Sequence, residues 1–143
     1  MTKSYRVSGF LFHEGSQQVL LHQPKSQQDQ TWSMFTGEGK KNDPQAFFRH
    51  LLSKILRESS IIKNIYPVYS YFNPSLRKTH YIFYVPVSEP KDFQTRLSSA
   101  LSWFTFKQIS KLPLSPQAKH DIVIAQRVIR AQIPLPAHQP AHP

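Results

Sequence analysis

Apolar side chains at Phe47, Phe48, Leu51, Leu52, Ile55 and Leu56 recur at three- and four-residue spacing, which predicts an amphipathic helix with one buried stripe. Its opposite face carries Arg49, His50, Lys54, Arg57 and Glu58. Asp43-Pro44 suits the start, since Asp caps free N–H groups and Pro is tolerated in the first turn. The helix is expected to end near Ser59-Ser60. Upstream, Tyr5 to Phe12 and Gln18 to His22 are short apolar runs separated by Glu14-Gly15-Ser16, the pattern of a β-hairpin. Gln23 to Gln30 has no apolar period and reads as a loop. Thr31 to Phe35 resumes strand composition around Trp32, and Gly37 and Gly39 suggest a tight backbone turn before the helix.

Downstream, Ile61 to Phe72 alternates and predicts one or two strands interrupted at Pro67, with a break at Asn73-Pro74-Ser75. The run Thr79 to Val87, THYIFYVPV, is nearly continuous in apolar character, as expected of a central strand buried on both faces. Pro90 to Leu101 reads as a short helix or an irregular connection, and Ser102 to Phe106 as a strand. Lys107 to Lys111 suits one helical turn. Pro116 to Gln132 suits a closing helix with Ile122, Ala125, Val128 and Ile129 inward. The division expected is one domain over residues 1–132 and a Pro-rich, mobile tail over 133–143.

Charge changes this picture more than composition does. Against 8 acidic residues stand 18 Lys and Arg, a formal net charge of +10, which favours anionic partners such as nucleotides or nucleic acid. Without cysteine, disulfides and thiolate metal sites are excluded. The N-terminal apolar run lacks a cleavage pattern and no stretch approaches membrane-spanning length, so a soluble, cytoplasmic protein without a membrane partner is expected. No Ser, His or Asp sits in a nucleophile turn such as G-x-S-x-G. His13, His22, His50 and His80 show no ligand spacing. Tyr66, Tyr69, Tyr71, Phe72 and Tyr81 offer a stacking platform for bases, but most of them alternate as strand residues do, which favours core packing.

Three stretches share a recognisable order. VSGFLFHEGSQQVLLHQ from Val7 forms the opening hairpin; a glycine-containing segment leads into the patterned helix; and WFTFKQISKLPLSPQAKHDI from Trp103 joins an aromatic strand, a helical turn, a Leu-Pro bend and a last helix. Together these resemble the Nudix hydrolase superfamily over Tyr5 to Arg130. The resemblance implies an α/β fold, a Nudix-like α/β/α sandwich with a mixed β-sheet between helices. The family signature, G-x5-E-x7-R-E-U-x-E-E-x-G-U with U a bulky aliphatic, can be laid on the chain from Gly39 without a gap. Gln45 then replaces the first Glu, Ser53 the Arg, Lys54 the next Glu, Arg57 a further Glu and Ser60 the Gly, while Ile55, Glu58 and Ile61 fit. Starting from Gly37 places Asp43 at the first acidic position but loses Glu58 and Ile61.

In the family the motif holds carboxylates one helical turn apart for Mg²⁺ or Mn²⁺, which neutralises a diphosphate and helps generate the attacking hydroxide. Here Lys54 and Arg57, three residues apart, stand where two ligands are expected. A unit charge about 5 Å from a divalent ion is worth about 7 kcal/mol at an effective dielectric of about 20, so reversing one ligand turns attraction into repulsion of that size. The resemblance therefore implies a degenerate box: weak or absent hydrolysis, no metal cofactor, and Lys54, Arg57, Arg49, Lys40, Lys41 and Gly39 as a direct phosphate site for a nucleotide or other phosphorylated ligand. Arg77-Lys78 on a later loop could reach that patch. Two alternatives stand beside it. One is an active hydrolase of nucleoside diphosphate-linked substrates, with Glu58 as the retained catalytic carboxylate and Glu58, Glu38 and Asp43 around Mg or Mn. The other is a basic nucleic-acid or protein interaction module.

Overall fold

The computed structural model describes residues 4–24, 31–40, 43–57, 62–89 and 99–132. In chain order its elements are β1 (Tyr5–His13), β2 (Gln18–Pro24), β3 (Phe35–Gly39), α1 (Pro44–Ile55), β4 (Tyr66–Asn73), β5 (Lys78–Pro86), β6 (Ser99–Thr105), α2 (Phe106–Ile109) and α3 (Pro116–Gln132). The strands form one mixed sheet in the order β4-β5-β1-β2-β6, with β3 also paired to β1. Among the described residues, only β1 and β5 run parallel; the other pairings are antiparallel.

The far edge of β1 is shared. Its first half, Tyr5 to Gly9, pairs with β3, and its last residues, Leu11 to His13, pair with β2. That fork seats β1 in the middle of the sheet, which explains why it is buried on both faces from Val7 to Phe12, apolar throughout except at Ser8. β5 lies beside it between β4 and β1, and Ile82, Phe83, Tyr84 and Val85 are buried in succession, as the continuous apolar run predicts.

Each face packs against its own helix. On one side Val7, Leu11, Phe35 and Phe83 meet Phe48, Leu52 and Ile55 of α1; on the other Phe10, Phe12, Ile82 and Tyr84 meet Ile122, Ala125 and Ile129 of α3. The α/β/α arrangement with a mixed sheet follows.

Several boundaries agree with the sequence. Asp43 is the N-cap of α1, its Oδ1 accepting from the Ala46 N–H at 2.8 Å with Pro44 behind it, and α3 spans the residues expected. The irregularity expected at Pro67 is a register shift between Pro67 and Tyr69 within one strand. Other expectations are corrected. Gly37 and Gly39 lie in strand β3, opposite Val7 and Tyr5, rather than in a turn, and neither has positive φ. A side chain at 39 would meet the Tyr5 ring at 2.9 Å and one at 37 would meet Leu51 at 3.2 Å, so these glycines serve close approach. Helix α1 stops at Ile55: Leu56 is extended at φ −97°, ψ 137°, and keeps its side chain in the core. The strand expected at Thr31 is reduced to a bridge between Ser33 and His22. Most of the connection before β6 and the Pro-rich tail lie outside the described residues. Among the described residues, no helix is long and apolar enough to cross a membrane.

Candidate functional site

The early end of α1 takes apart the cationic patch expected of it. Lys54 sits in the last turn, exposed, where a cation complements the helix C-terminus. Arg57 falls beyond the helix, so the two do not stand one helical turn apart on a single face. Arg49 is occupied structurally: its Nη1 donates to the Ile62 carbonyl at 2.9 Å and Nη2 to the Lys63 carbonyl at 3.2 Å, tying the segment after the helix back onto it. Lys40 is exposed, and Lys41 and Glu58 lie outside the described residues.

The described carboxylates of the expected metal cluster are also engaged elsewhere. Asp43 caps α1. Glu38 forms an ion pair with Lys78 at the start of β5, and that bond holds its carboxyl below the usual range. Among the described residues, no three His, Asp or Glu side chains are grouped as a metal site requires. With those engagements Glu38 and Asp43 do not fit a magnesium cluster.

The opposite face of the sheet carries a more demanding arrangement. A cavity of about 230 Å³ opens between the sheet and the N-terminal turns of α3. Strand alternation builds its floor, since Arg6 and Ser8 of β1, Thr36 of β3, Tyr71 and Asn73 of β4 and His80 of β5 all project to that side. Gln117 and Asp121 of α3 close it. Among the described residues, none of the expected phosphate or metal residues lines it, whereas Tyr71, one of the aromatics that offer a stacking platform, does.

Asp121 is 1% exposed. Its Oδ1 accepts from the Tyr69 hydroxyl and from Gln117 Nε2 at 2.9 Å, whereas Oδ2 is buried without a protein partner. Arg6 Nε is likewise buried and unpartnered. The Tyr69 hydroxyl is pushed well above its usual range, first by burial and then by its bond to the Asp121 carboxylate.

A chain of hydrogen bonds runs along the floor: Tyr71 Oη to His80 Nδ1 at 2.8 Å, His80 Nε2 to Ser8 Oγ at 2.8 Å, Ser8 Oγ to Thr36 Oγ1 at 2.9 Å, and Thr36 Oγ1 to the Met34 carbonyl at 3.2 Å. Its direction is set by the far end. A carbonyl only accepts, so the single Thr36 proton points to Met34, and Thr36 must accept from Ser8. Ser8 in turn accepts from the His80 Nε2–H, and in the neutral ring Nδ1 accepts the Tyr71 hydroxyl proton. The Tyr71 oxygen, its proton spent inward, offers only lone pairs.

Burial lowers the pKa of His80 below its ordinary 6.5, and Arg6 acts in the same direction against an opposing Asp121. Burial also lowers that of His22, whose ring stacks on Phe35. As pH falls below about 6.5 the unfolded chain takes up protons that the folded chain does not, so stability rises with pH through this window and is lost on acidification. The urea midpoint is expected to fall between about pH 7.5 and about pH 5.5, and His80→Asn should flatten part of that slope. A midpoint independent of pH over this range would contradict the assignment.

No protein-family model matches the sequence, and no curated protein matches it. Solved structures do match the backbone. The Nudix domain of Shewanella oneidensis NrtR, complexed with ADP ribose, superposes with a TM-score of 0.70 at 14% identity, covering 87% of each chain. This chain has a Nudix fold. A Nudix hydrolase from Listeria monocytogenes matches with a TM-score of 0.70 at 15% identity over 89% of this chain and 94% of that one. The dihydroneopterin triphosphate pyrophosphohydrolase of E. coli matches at 0.67 and 15% over 88% and 95%. The cavity described above is assembled from one to three residues on each of five elements spread along the chain, which is why no motif announces it. Two signals were nonetheless present: His80 immediately precedes the apolar run of β5, and Asp121 interrupts the apolar helical stripe of Ala118, Ile122 and Ala125.

Proposed function

We propose that this Nudix-fold chain binds a nucleotide or another phosphorylated small molecule, with weak or no magnesium-dependent hydrolysis. The observation that carries the reading is a pair of buried, unpartnered polar atoms, Asp121 Oδ2 and Arg6 Nε, on two residues that line one cavity. Leaving a buried polar group unsatisfied costs about 1–3 kcal/mol, more for a charged one. A ligand with N–H donors at one end and an anion at the other offsets both costs, and a nucleotide has that form. The ADP ribose held by a protein of the same fold supports the choice of ligand class. The engagement of Glu38 with Lys78 and of Asp43 with the α1 N-terminus supports weak hydrolysis.

Calorimetric titration with ADP-ribose, ADP and ATP is expected to show binding that Arg6→Met weakens at least about tenfold, the effect of removing a charge-assisted hydrogen bond. With Mg²⁺ or Mn²⁺ present, the same compounds should be recovered largely intact. No binding of any of them up to millimolar concentration overturns the binding half of the proposal. Turnover that disappears in Glu58→Gln overturns the other half.

A further inference from the structure

We infer that the cavity binds its anionic ligand together with a proton: His80 takes up the proton on Nδ1, and the Tyr71 hydroxyl turns from an acceptor into a donor toward the ligand. The inference rests on the reading that the cavity binds a phosphorylated ligand, and it follows from one row of side chains across the sheet. His80 is the partner of Arg6 on β1 and of Tyr71 on β4, so it stands one strand spacing, about 4.8 Å of backbone, from each. It is buried, and all three residues line the cavity. The charged and titratable groups around it are Arg6 on β1, Glu38 next in the row on β3, Lys78 on its own strand, Tyr69 and Tyr71 on β4, and Asp121 on α3. Glu38 and Lys78 are paired with each other, and Asp121 accepts from Tyr69 and Gln117. Arg6, its Nε unpartnered, is the cation beside His80 that an incoming anion meets.

The relay decides what protonation does. Ser8 cannot donate to His80 while its proton goes to Thr36 and that of Thr36 to the Met34 carbonyl, so Nε2 keeps its hydrogen in the neutral and the charged ring alike. A second proton has one place to go, Nδ1. The Nδ1–H then donates to the Tyr71 oxygen across the same 2.8 Å, and the hydroxyl hydrogen that pointed inward turns out toward the cavity. One proton thus changes two things for a ligand: a positive charge arises behind the floor, and an oxygen that showed an anion its lone pairs shows it a hydrogen. The hydrogens that Asn73 and Gln117 bring to the lining are the same in both states. Without a ligand, burial and then Arg6 hold His80 toward its neutral form against Asp121. An anion on Arg6 offsets that repulsion and lies beside the ring, so the bound state favours the charged form. Ligand and proton then strengthen each other's binding by the same factor, and affinity rises as pH falls.

The test is calorimetry on the full chain with ADP-ribose, in buffers of different ionisation enthalpy so that protons are counted. This probe has no terminal phosphate, whose second ionisation near about pH 6 would itself titrate in the window. Binding is expected to be about three- to tenfold tighter at about pH 5.5 than at about pH 7.5, as follows if the ligand raises the proton affinity of His80 about tenfold. Net proton uptake should accompany it, and the His80 ring resonances should titrate at higher pH in the complex than in the free protein. His80→Asn, its fold checked by the thermal midpoint, should lose both the pH dependence and the uptake. Tyr71→Phe keeps the charge and loses the donor, and should keep only part of the dependence. Equal affinity at the two pH values without proton uptake overturns the inference while the binding reading stands. A dependence that persists in folded His80→Asn assigns it to another group, such as His22, whose Nδ1 lies 3.5 Å from Ser33 Oγ on the cavity lining, and overturns it too. If His80→Asn does not fold, the wild-type resonances decide, and no upward shift on binding sinks the inference. A dependence unchanged in Tyr71→Phe removes the hydroxyl reversal from it. If ADP-ribose binds at neither pH, both readings fall together.

Discussion

Replacing Gly9 by alanine is expected to destabilise the protein by about 3 kcal/mol, with a fall in the thermal midpoint on the order of 10 °C. Gly9 lies in the middle of β1, paired with Phe35 on one side and Phe83 on the other. A Cβ there would stand 2.5 Å from Cζ of Phe48 and 2.5 Å from the Phe83 carbonyl oxygen. Alanine stiffens the unfolded chain and would by itself recover about 0.4–1 kcal/mol, which is too little to offset two contacts inside van der Waals range. The two clashes differ in kind. The first is with the end of a side chain, so Gly9→Ala combined with Phe48→Leu relieves it; the second is with the backbone of a central strand and can yield only by shifting the β1–β5 ladder. The double variant should accordingly recover only part of the loss. Chemical denaturation of wild type and the two variants checks this, and a Gly9→Ala midpoint within error of wild type would show that α1 does not pack on the sheet as closely as described.

That glycine illustrates what could be read from the sequence and what could not. Elements defined by their own periodicity were legible: the hairpin of β1 and β2, the buried strand β5, the start of α1 at Asp43 and the whole of α3. Features that depend on a partner were not. Gly37 and Gly39 suggest a turn by themselves, and only the Tyr5 ring and the Leu51 side chain, packed against them from elsewhere, explain glycines in a strand. The helix stripe continues through Leu56 because Leu56 is buried, although its backbone is already extended; burial periodicity and helical conformation part company at that residue. The site suffered most from this. Arg49 looked available for phosphate until the carbonyls of Ile62 and Lys63 came within reach. Arg6 carried no signal at all, being one alternating polar residue at the start of a strand.

The largest expected effect at the cavity concerns whether Asp121 is kept for stability or for a ligand. Tyr69→Phe removes a donor from a buried carboxylate and should destabilise by about 2 kcal/mol. Asp121→Leu leaves the Tyr69 hydroxyl and the Gln117 amide without their acceptor and should cost about 1–2 kcal/mol, although both donors can turn toward water at the cavity mouth. Made together, the two substitutions remove donor and carboxylate at once, and the desolvation penalty of a buried charge disappears with them. The double variant is therefore expected to be as stable as wild type or more so, with a coupling of about 3–4 kcal/mol or more in the double-mutant cycle, the sum of the two single losses. Denaturation of the four proteins measures it. Strictly additive losses would mean that Tyr69 and Asp121 act independently, and a double variant much less stable than either single one would make the polar cluster a structural element. The predicted result has a sharper consequence. If an apolar pair supports the fold equally well while ADP binding is lost, then the fold does not need Asp121, and the carboxylate is retained against its desolvation cost for what enters the cavity.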